Sequence, residues 1–449
     1  MSPTGLPFAP EDLIAVASEA AAWAWSEGMT VLRPDGRVVP IPLLAEPEVW
    51  PRAALARLAA EARAILSGSV KLARALLQHG DARDREMLLG PFEGLEAEAM
   101  ARLFVEAPEP VLLARVDFLL PAGASEPRAL ELNTTIPAMQ AYADLAAHGW
   151  LRAAARRRGL TVRQTGTLLA EAGSHMEELR RTLVAFYQRR GGVRERPSVA
   201  LVARPGDSQR AEQQRLAAHF RQMGHQAVNL VPAECEPERF DLLYRHVWAH
   251  NVPPEAPFAR ALRAPGRFPL VNPVNGMLEA KALFARLSEC AEDARLADLA
   301  GLDLAERAAS GRLPWTRRLE ADLLPRLLED RAPWVLKRSW DYGGKSVQLG
   351  AEMEPGDWKS AVLAALADRR GGGFVVQERI FAARRPATRI TMDGPSAGEL
   401  YRDISTYTGL GEIAPTGSVV RAASSPVVNI LGGGGLAPLV SEETLAHLR

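Results

Sequence analysis

Hydrophobic residues recur at three- and four-residue spacing between positions 10 and 105, in segments such as EDLIAVASEAAAWAW and RAALARLAAEARAIL. The period breaks at 111. From there VLLARVDFLL, a Gly/Pro/Ser turn at PAGASEP, and RALELN read as two strands joined by a loop. Strand signals are nearly absent before this point, helices resume from about 137 to 190, and the chain therefore belongs to the mixed α/β (α+β) class. SVALVA at 198–203, the helix DSQRAEQQRLAAHFRQMG and a strand near QAVNLV form a β-α-β unit, expected as a separate subdomain. After FPLVNPVNG comes the helix MLEAKALFARLSE and a helical region to about 330. From 334 strands dominate: WVLKRSW, KSVQLG, GFVVQERI, TRITMD, ELYRDIST and GSVVRAA, interrupted by one helix at DWKSAVLAALADRR. No internal repeat and no low-complexity tail is present.

Charge excludes some classes of function. Fifty-four basic residues balance fifty-four acidic ones, so no overall field draws the chain to nucleic acid or an anionic membrane, and any anionic ligand needs a local site. The start of the chain carries Glu11, Asp12 and Glu19 where a signal peptide would be basic, and no apolar run is long enough to span a bilayer. Cys235 and Cys290 stand alone, without the spacing of a zinc site or disulfide framework, and the expected setting is the reducing cytoplasm.

Only five of the basic residues are lysine, at 71, 281, 337, 345 and 359. Arginine serves wherever charge alone is wanted. A retained lysine has a raised chance of sitting where a compact ammonium is needed.

Four segments carry candidate chemistry. In the first, Arg115 and Asp117 alternate on one strand and Glu131 and Asn133 on the next, so each pair shares a face. Carboxylates with an amide oxygen are the hard ligands magnesium takes, although a lone E-x-N at a strand end is more often a turn or helix cap. The second is WVLKRSWDYGGKSVQLG, where Lys337 precedes Asp341, Gly343, Gly344 and Lys345. Glycines admit phosphate oxygens close to the backbone and lysine neutralises them; the plain alternative is a β-hairpin with a Gly-Gly turn. No GK[ST] opens a helix, so this is not a Walker A motif. The third is GFVVQERI, whose Gln377 and Glu378 would offer backbone groups to an adenine if the strand lay at an edge. The fourth holds Arg421, Asn429 and the glycines 432–435; four glycines in a row form no stable regular element and mark a mobile loop or a backbone shaped around an anion.

Taken in order, these pieces resemble the circularly permuted ATP-grasp ligases represented by eukaryotic-type glutathione synthetase and glutathionylspermidine synthetase. That family has an R-x-D strand, an E-x-N strand, an isolated lysine, a lysine strand with a glycine-rich turn, an adenine-edge strand, and a late arginine followed by a glycine-rich loop. The matching segments here run from 115 to 435. The resemblance implies ATP and magnesium, two ions, as cofactors, with Asp117, Glu131, Asn133 and Asp341 around the metal. It implies Lys281, Lys337, Gly343, Gly344, Lys345, Gln377, Glu378, Gly433 and Gly434 around the nucleotide. Arg115 and Arg421 would hold a carboxylate substrate, and Arg115, Lys281 and Lys337 would offset charge during transfer.

The implied division is a helical region at 1–107, ATP-grasp core at 108–195, a β-α-β substrate or accessory subdomain at 196–275, a nucleotide-binding lid at 276–379 and the remaining core at 380–449. The partners expected are a small carboxylate and an amine, without nucleic acid or membrane, and with a homodimer compatible. Substrate identity does not carry over. Thr134, Thr135, Ile136 and Pro137 stand where glutathione synthetase has substrate-contacting serines, and Ala423 replaces a nucleotide-contacting lysine; 196–275 shows no substrate match. A thiol or hydroxyl acceptor, a kinase-like outcome and a non-catalytic ATP-binding module are the rival readings. A serine or cysteine hydrolase is a weaker reading still, because no Cys/His context accompanies a candidate nucleophile.

Overall fold

The computed structural model describes residues 6–448 apart from 108 and 342. A seven-stranded sheet forms its centre, in the order Arg385–Thr391, Leu43–Leu44, Gly435–Ala437, Ser418–Ala423, Gly394–Thr408, Ala114–Leu119, Arg128–Asn133. Strand Gly394–Thr408 is long enough to pair twice: its first half returns antiparallel along Arg385–Thr391, and its second half lies between Ser418–Ala423 and Ala114–Leu119. Five strands therefore close into a circuit. Closure leaves few unpaired edges in the middle of the molecule.

The helical N-terminal region departs from expectation. Its helices Pro10–Ser26 and Arg52–His79 are present, but strands Thr30–Leu32, Val38–Pro40, Leu43–Leu44 and Glu48–Trp50 lie between them. Strands of two or three residues carry no readable alternation, which is why the sequence conceals them. Leu43–Leu44 belongs to the central sheet, and Glu48–Trp50 pairs in parallel with Leu439–Ser441. Helix Pro10–Ser26 packs its alanine face on helix Gln140–Arg157, where Trp150 is fully buried.

Strands Val199–Ala203, Ala227–Leu230, Leu242–His246 and Leu270–Val271 make a four-stranded all-parallel sheet, larger than the β-α-β unit read from the sequence. The sheet of the region expected as a lid is antiparallel, in the order Thr316–Arg318, Phe374–Glu378, Trp334–Arg338, Gln348–Leu349. It has its own core, with Leu336, Trp358, Val362 and Val376 buried together. Among the described residues no helix is long and apolar enough to cross a membrane.

Candidate active site

Strand Ala114–Leu119 organises the site. Arg115 lies opposite Asn133 and Asp117 opposite Glu131 on one flank; on the other, Tyr407 faces Arg115 and Ser405 faces Asp117. Directly opposed residues share a sheet face, so the side chains of 115, 117, 131 and 133 converge. One strand further on, Asp403 stands opposite Arg421.

Four of these charges are locked together. Asp117 Oδ1 accepts from Arg115 Nε at 2.7 Å, and Oδ2 accepts from Arg115 Nη2 at 3.0 Å and Arg421 Nη2 at 2.9 Å. Arg421 also donates Nε to Asp403 at 3.0 Å and shares a shorter Nη2 contact with the same carboxylate. Burial pushes the Asp117 carboxyl up, but the two guanidinium groups outweigh it and hold the group well below the usual range. Asp117, expected among the metal ligands, thus has both oxygens taken by arginines. It positions Arg115 and Arg421 instead. Asp403 has the same task and escaped the sequence reading, because its role follows from register with Arg421 and not from any motif.

The lysines arrive from two directions. Lys281 is the first residue of helix Lys281–Glu289, whose backbone N–H groups at 281 and 282 donate to the carbonyl and hydroxyl oxygens of Ser339 at 2.7 and 3.1 Å. That contact docks the helix on the lid strand. A cation at a helix N-terminus opposes the macrodipole, and an arriving anion would relieve the conflict. Its Nζ lies 3.6 Å from Glu131 Oε2 and donates to the Asp341 carbonyl at 2.9 Å. Lys337 is buried on the lid strand, donating to Gln377 Oε1 at 2.7 Å. Burial pushes its ammonium down to about 8, with Lys281 adding to the fall and Glu131 and Asp117 opposing it.

The adenine-edge expectation needs correction. Strand Phe374–Glu378 lies between Thr316–Arg318 and Trp334–Arg338, so neither flank is open. What Gln377 presents is a side chain that joins Lys337 to Thr316, and Glu378 accepts from Arg128 Nη2 at 3.0 Å. The strand end, with Arg379 and Ile380, still lines the cleft.

Gly343 and Gly344 have φ of 70° and 71°, and a Cβ on Gly344 would stand 2.7 Å from Val427 Cγ1. Both facts require glycine there. Asn429 Nδ2 donates to the Gly343 carbonyl at 3.0 Å, so the lid turn and the late loop touch. The glycine run is only partly loop: Gly433 and Gly434 turn back on Ile430 and Asn429, whereas Gly435 opens a central strand so close to Pro42 that a Cβ would meet its carbonyl at 2.7 Å. Its composition reflects close strand packing as much as a turn.

Arg115, Asp117, Glu131, Asn133, Lys281, Lys337, Asp341, Gly343, Gly344, Lys345, Gln377, Glu378 and Arg421 all line one cleft of about 630 Å³. Gly433 and Gly434 lie behind its wall at Asn429–Leu431. The opposite end of the cleft is made by Met139, Arg204, Asp207, Gln209, His246 and Trp248, a half that sequence reasoning missed. Among the described residues no three His, Cys, Asp or Glu side chains converge as a metal centre. Magnesium accepts amide oxygens and water, however, and the buried Asn133 Nδ2 has no hydrogen-bond partner, so this amide beside Glu131 is not committed elsewhere. Glu131 and Asn133 fit such an ion, with Asp341 lining the same cleft; Asp117, its oxygens held by arginines, does not.

No family model matches the chain, and no curated protein does. Among solved structures, a glutathione synthetase-like effector from Globodera pallida, in its apo form, matches with a TM-score of 0.61 at 13% sequence identity, over 97% of this chain and 99% of that one. The fold is glutathione-synthetase-like. A protein described as a gamma-glutamylcysteine synthetase from Methylobacillus flagellatus KT matches with a TM-score of 0.36 at 11% identity, over 75% of this chain and 83% of that one, which is too distant to carry weight. In this glutathione-synthetase-like fold, the charged sheet face, the lysine helix and the lid turn meet in one place although they lie far apart in sequence.

Proposed function

We propose that the protein is an ATP- and magnesium-dependent ligase of the circularly permuted ATP-grasp type, joining a small carboxylate to an amine through an acyl-phosphate. The observation that supports this most is the convergence of Arg115, Glu131, Asn133, Lys281, Lys337 and Arg421 on one cleft. Phosphoryl transfer asks a protein mainly for positioning and charge neutralisation. Lys281 and Lys337 would meet the phosphate oxygens of ATP, with the Gly343–Gly344 turn admitting them to the backbone. Glu131, Asn133 and Asp341 would hold magnesium, which supplies neutralisation of the phosphate charge.

Arg115 and Arg421 would hold the substrate carboxylate. Asp117 and Asp403 fix their orientation, and Nε and Nη2 of Arg421 are bound to these carboxylates while its Nη1 is not. Guanidinium groups held this way lose little further freedom on binding a carboxylate. An acyl-phosphate is labile in water, and the contact between Asn429 and Gly343 gives the lid turn and the late loop a means of closing the cleft together.

The test is ADP release screened against amino acids, short peptides and polyamines. Paired carboxylate and amine should give continuous release, and hydroxylamine in place of the amine should give a hydroxamate, a product of an activated acyl group. A stable phosphorylated product without hydroxamate would identify a kinase, and ATP binding without turnover would identify a binding module.

A further inference from the structure

A ligase that uses an amine faces a proton problem: the amine arrives as its ammonium ion, which has no lone pair to attack with. The charged groups in the phosphate half of the cleft are cations, carboxylates tied to cations or candidate metal ligands, and Lys337, whose ammonium burial pushes down, is committed to Gln377 and, on the function proposed above, to phosphate. The other half has a different chemistry. It lies at the carboxyl ends of Val199–Ala203 and Leu242–His246, adjacent parallel strands whose onward connections leave in opposite directions, the first to Ala227–Leu230 and the second to Leu270–Val271. Open parallel sheets bind ligands at this switch point.

His246 ends one of these strands and lines the cleft while only 1% exposed. Its Nδ1 lies 2.9 Å from the Gln213 side-chain amide, and its Nε2 has no hydrogen-bond partner. Asp207 Oδ1 lies 3.8 Å from Nε2, too far for a hydrogen bond, and Asp207 is itself held by the Gln209 N–H at 2.8 Å and by Arg204 at 3.3 Å. Gln209 Nε2 reaches the Met139 sulfur at 3.4 Å, and the preceding Ala138 carbonyl accepts from Arg115 at 3.1 Å. The two halves are thus joined through two residues.

We propose that Asp207, Gln209 and His246 form the subsite of the acceptor amine, and that His246 Nε2 accepts the proton the ammonium must shed; this rests on the ligase function proposed above. The Nε2 lone pair requires the proton on Nδ1, given to the Gln213 amide turned so that Oε1, which otherwise has no partner, faces the ring. One proton passes from R–NH₃⁺ to His246. The nitrogen lone pair then forms the C–N bond, the carbonyl carbon–oxygen bond to phosphate breaks with its electron pair, and phosphate leaves carrying the second nitrogen proton. Burial lowers the pKa of His246 from its ordinary 6.5, with Arg245 and Arg204 acting in the same sense and Asp207 against it, so the ring is neutral and ready at physiological pH.

The experiment compares glycine, methylamine and spermidine with hydroxylamine, which is already neutral at pH 7, as acceptors in ADP release by the full-length enzyme with its best carboxylate from the amino-acid and dipeptide screen. In His246→Gln the ratio of amine to hydroxylamine rates should fall about 10²-fold, the usual worth of a positioned base. An unchanged ratio with an active wild type overturns the assignment of His246 and leaves the ligase function standing. A wild type inactive with every acceptor overturns both. Should the variant fail to fold, the wild-type pH profile decides. With His246 as base, amine-dependent release reaches a plateau above about pH 6.5, the ordinary imidazole value; without it, the rate keeps rising toward the pKa of the amine.

Discussion

Replacing Lys337 by methionine should make the fold less sensitive to pH. The side chain is 7% exposed and its pKa falls from an ordinary 10.5 to about 8, chiefly through burial. That fall means the folded chain disfavours the protonated form by roughly 3 kcal/mol relative to the unfolded chain. Below pH 8 the lysine is charged in both states and the whole penalty applies. Between about 8 and 10.5 the unfolded chain still binds a proton that the folded chain has released, so wild-type stability rises with pH across that window. Methionine removes the titration and fills similar volume, but leaves Gln377 Oε1 without its donor, a loss of about 1 to 3 kcal/mol. At pH 7 the two effects nearly offset, and the variant should lie within about 2 kcal/mol of wild type. The decisive quantity is the difference in urea-unfolding free energy between wild type and Lys337→Met, measured at pH 7 and pH 10, because the other groups titrate alike in both. It should move in favour of wild type by about 2 to 3 kcal/mol. A flat difference would refute the claim that Lys337 is held as a strained buried cation awaiting a phosphate.

Glu131→Ala and Asp341→Asn should each abolish ADP release while leaving circular dichroism and thermal unfolding near wild type. Asp403→Asn removes one clamp on Arg421 inside a buried network and should cost about 3 kcal/mol by urea titration, the range for breaking a buried pair. Gly344→Ala combines a φ of 71° with a clash at Val427, so ATP affinity measured by calorimetry should fall at least tenfold with little change in unfolding. Glu212 is buried, accepts from the N–H groups of Met139 and Ala141, and has its pKa pushed up by burial from 4.5 to about 8. The folded chain therefore holds a proton that the unfolded chain releases between those values, and stability should fall by roughly 4 kcal/mol from pH 4.5 to 8 in wild type but not in Glu212→Gln, as read by thermal unfolding.

What could be read in the sequence was what depends on a residue alone or on its near neighbours. The scarcity of lysine drew attention to Lys281 and Lys337, the Gly343–Gly344 pair marked a turn, and the R-x-D and E-x-N alternation put Arg115 with Asp117, and Glu131 with Asn133, on one face of each strand. What could not be read was who faces whom across the sheet. Asp403 sits in an ordinary strand pattern and acquires its role only through register with Arg421, and the same sheet register brings Arg421 to Asp117 beside its own-strand neighbour Arg115. Glu212 looks like a surface residue of an amphipathic helix, yet it caps the start of another helix from inside the molecule. The substrate half of the cleft was invisible for a related reason: Asp207 and His246 are brought together by the parallel pairing of Val199–Ala203 with Leu242–His246, which no local pattern specifies.

The earliest strand of the central sheet, Leu43–Leu44, and the short strand after it, Glu48–Trp50, are also among the last to complete their pairing. Leu43 pairs with Leu436 and Val49 with Val440, so a ribosome adding ~5–20 residues per second must work for roughly 20 to 80 s after making the first before it makes the second. Through that interval the segment 43–50 waits beside helices that are already complete. Its strands are two and three residues long, too short to template a stable mispairing with a neighbouring nascent chain. Chains stalled before 436 should accordingly remain open to protease around 43–50 while helix Arg52–His79 is already protected, and extension past 441 should close that site.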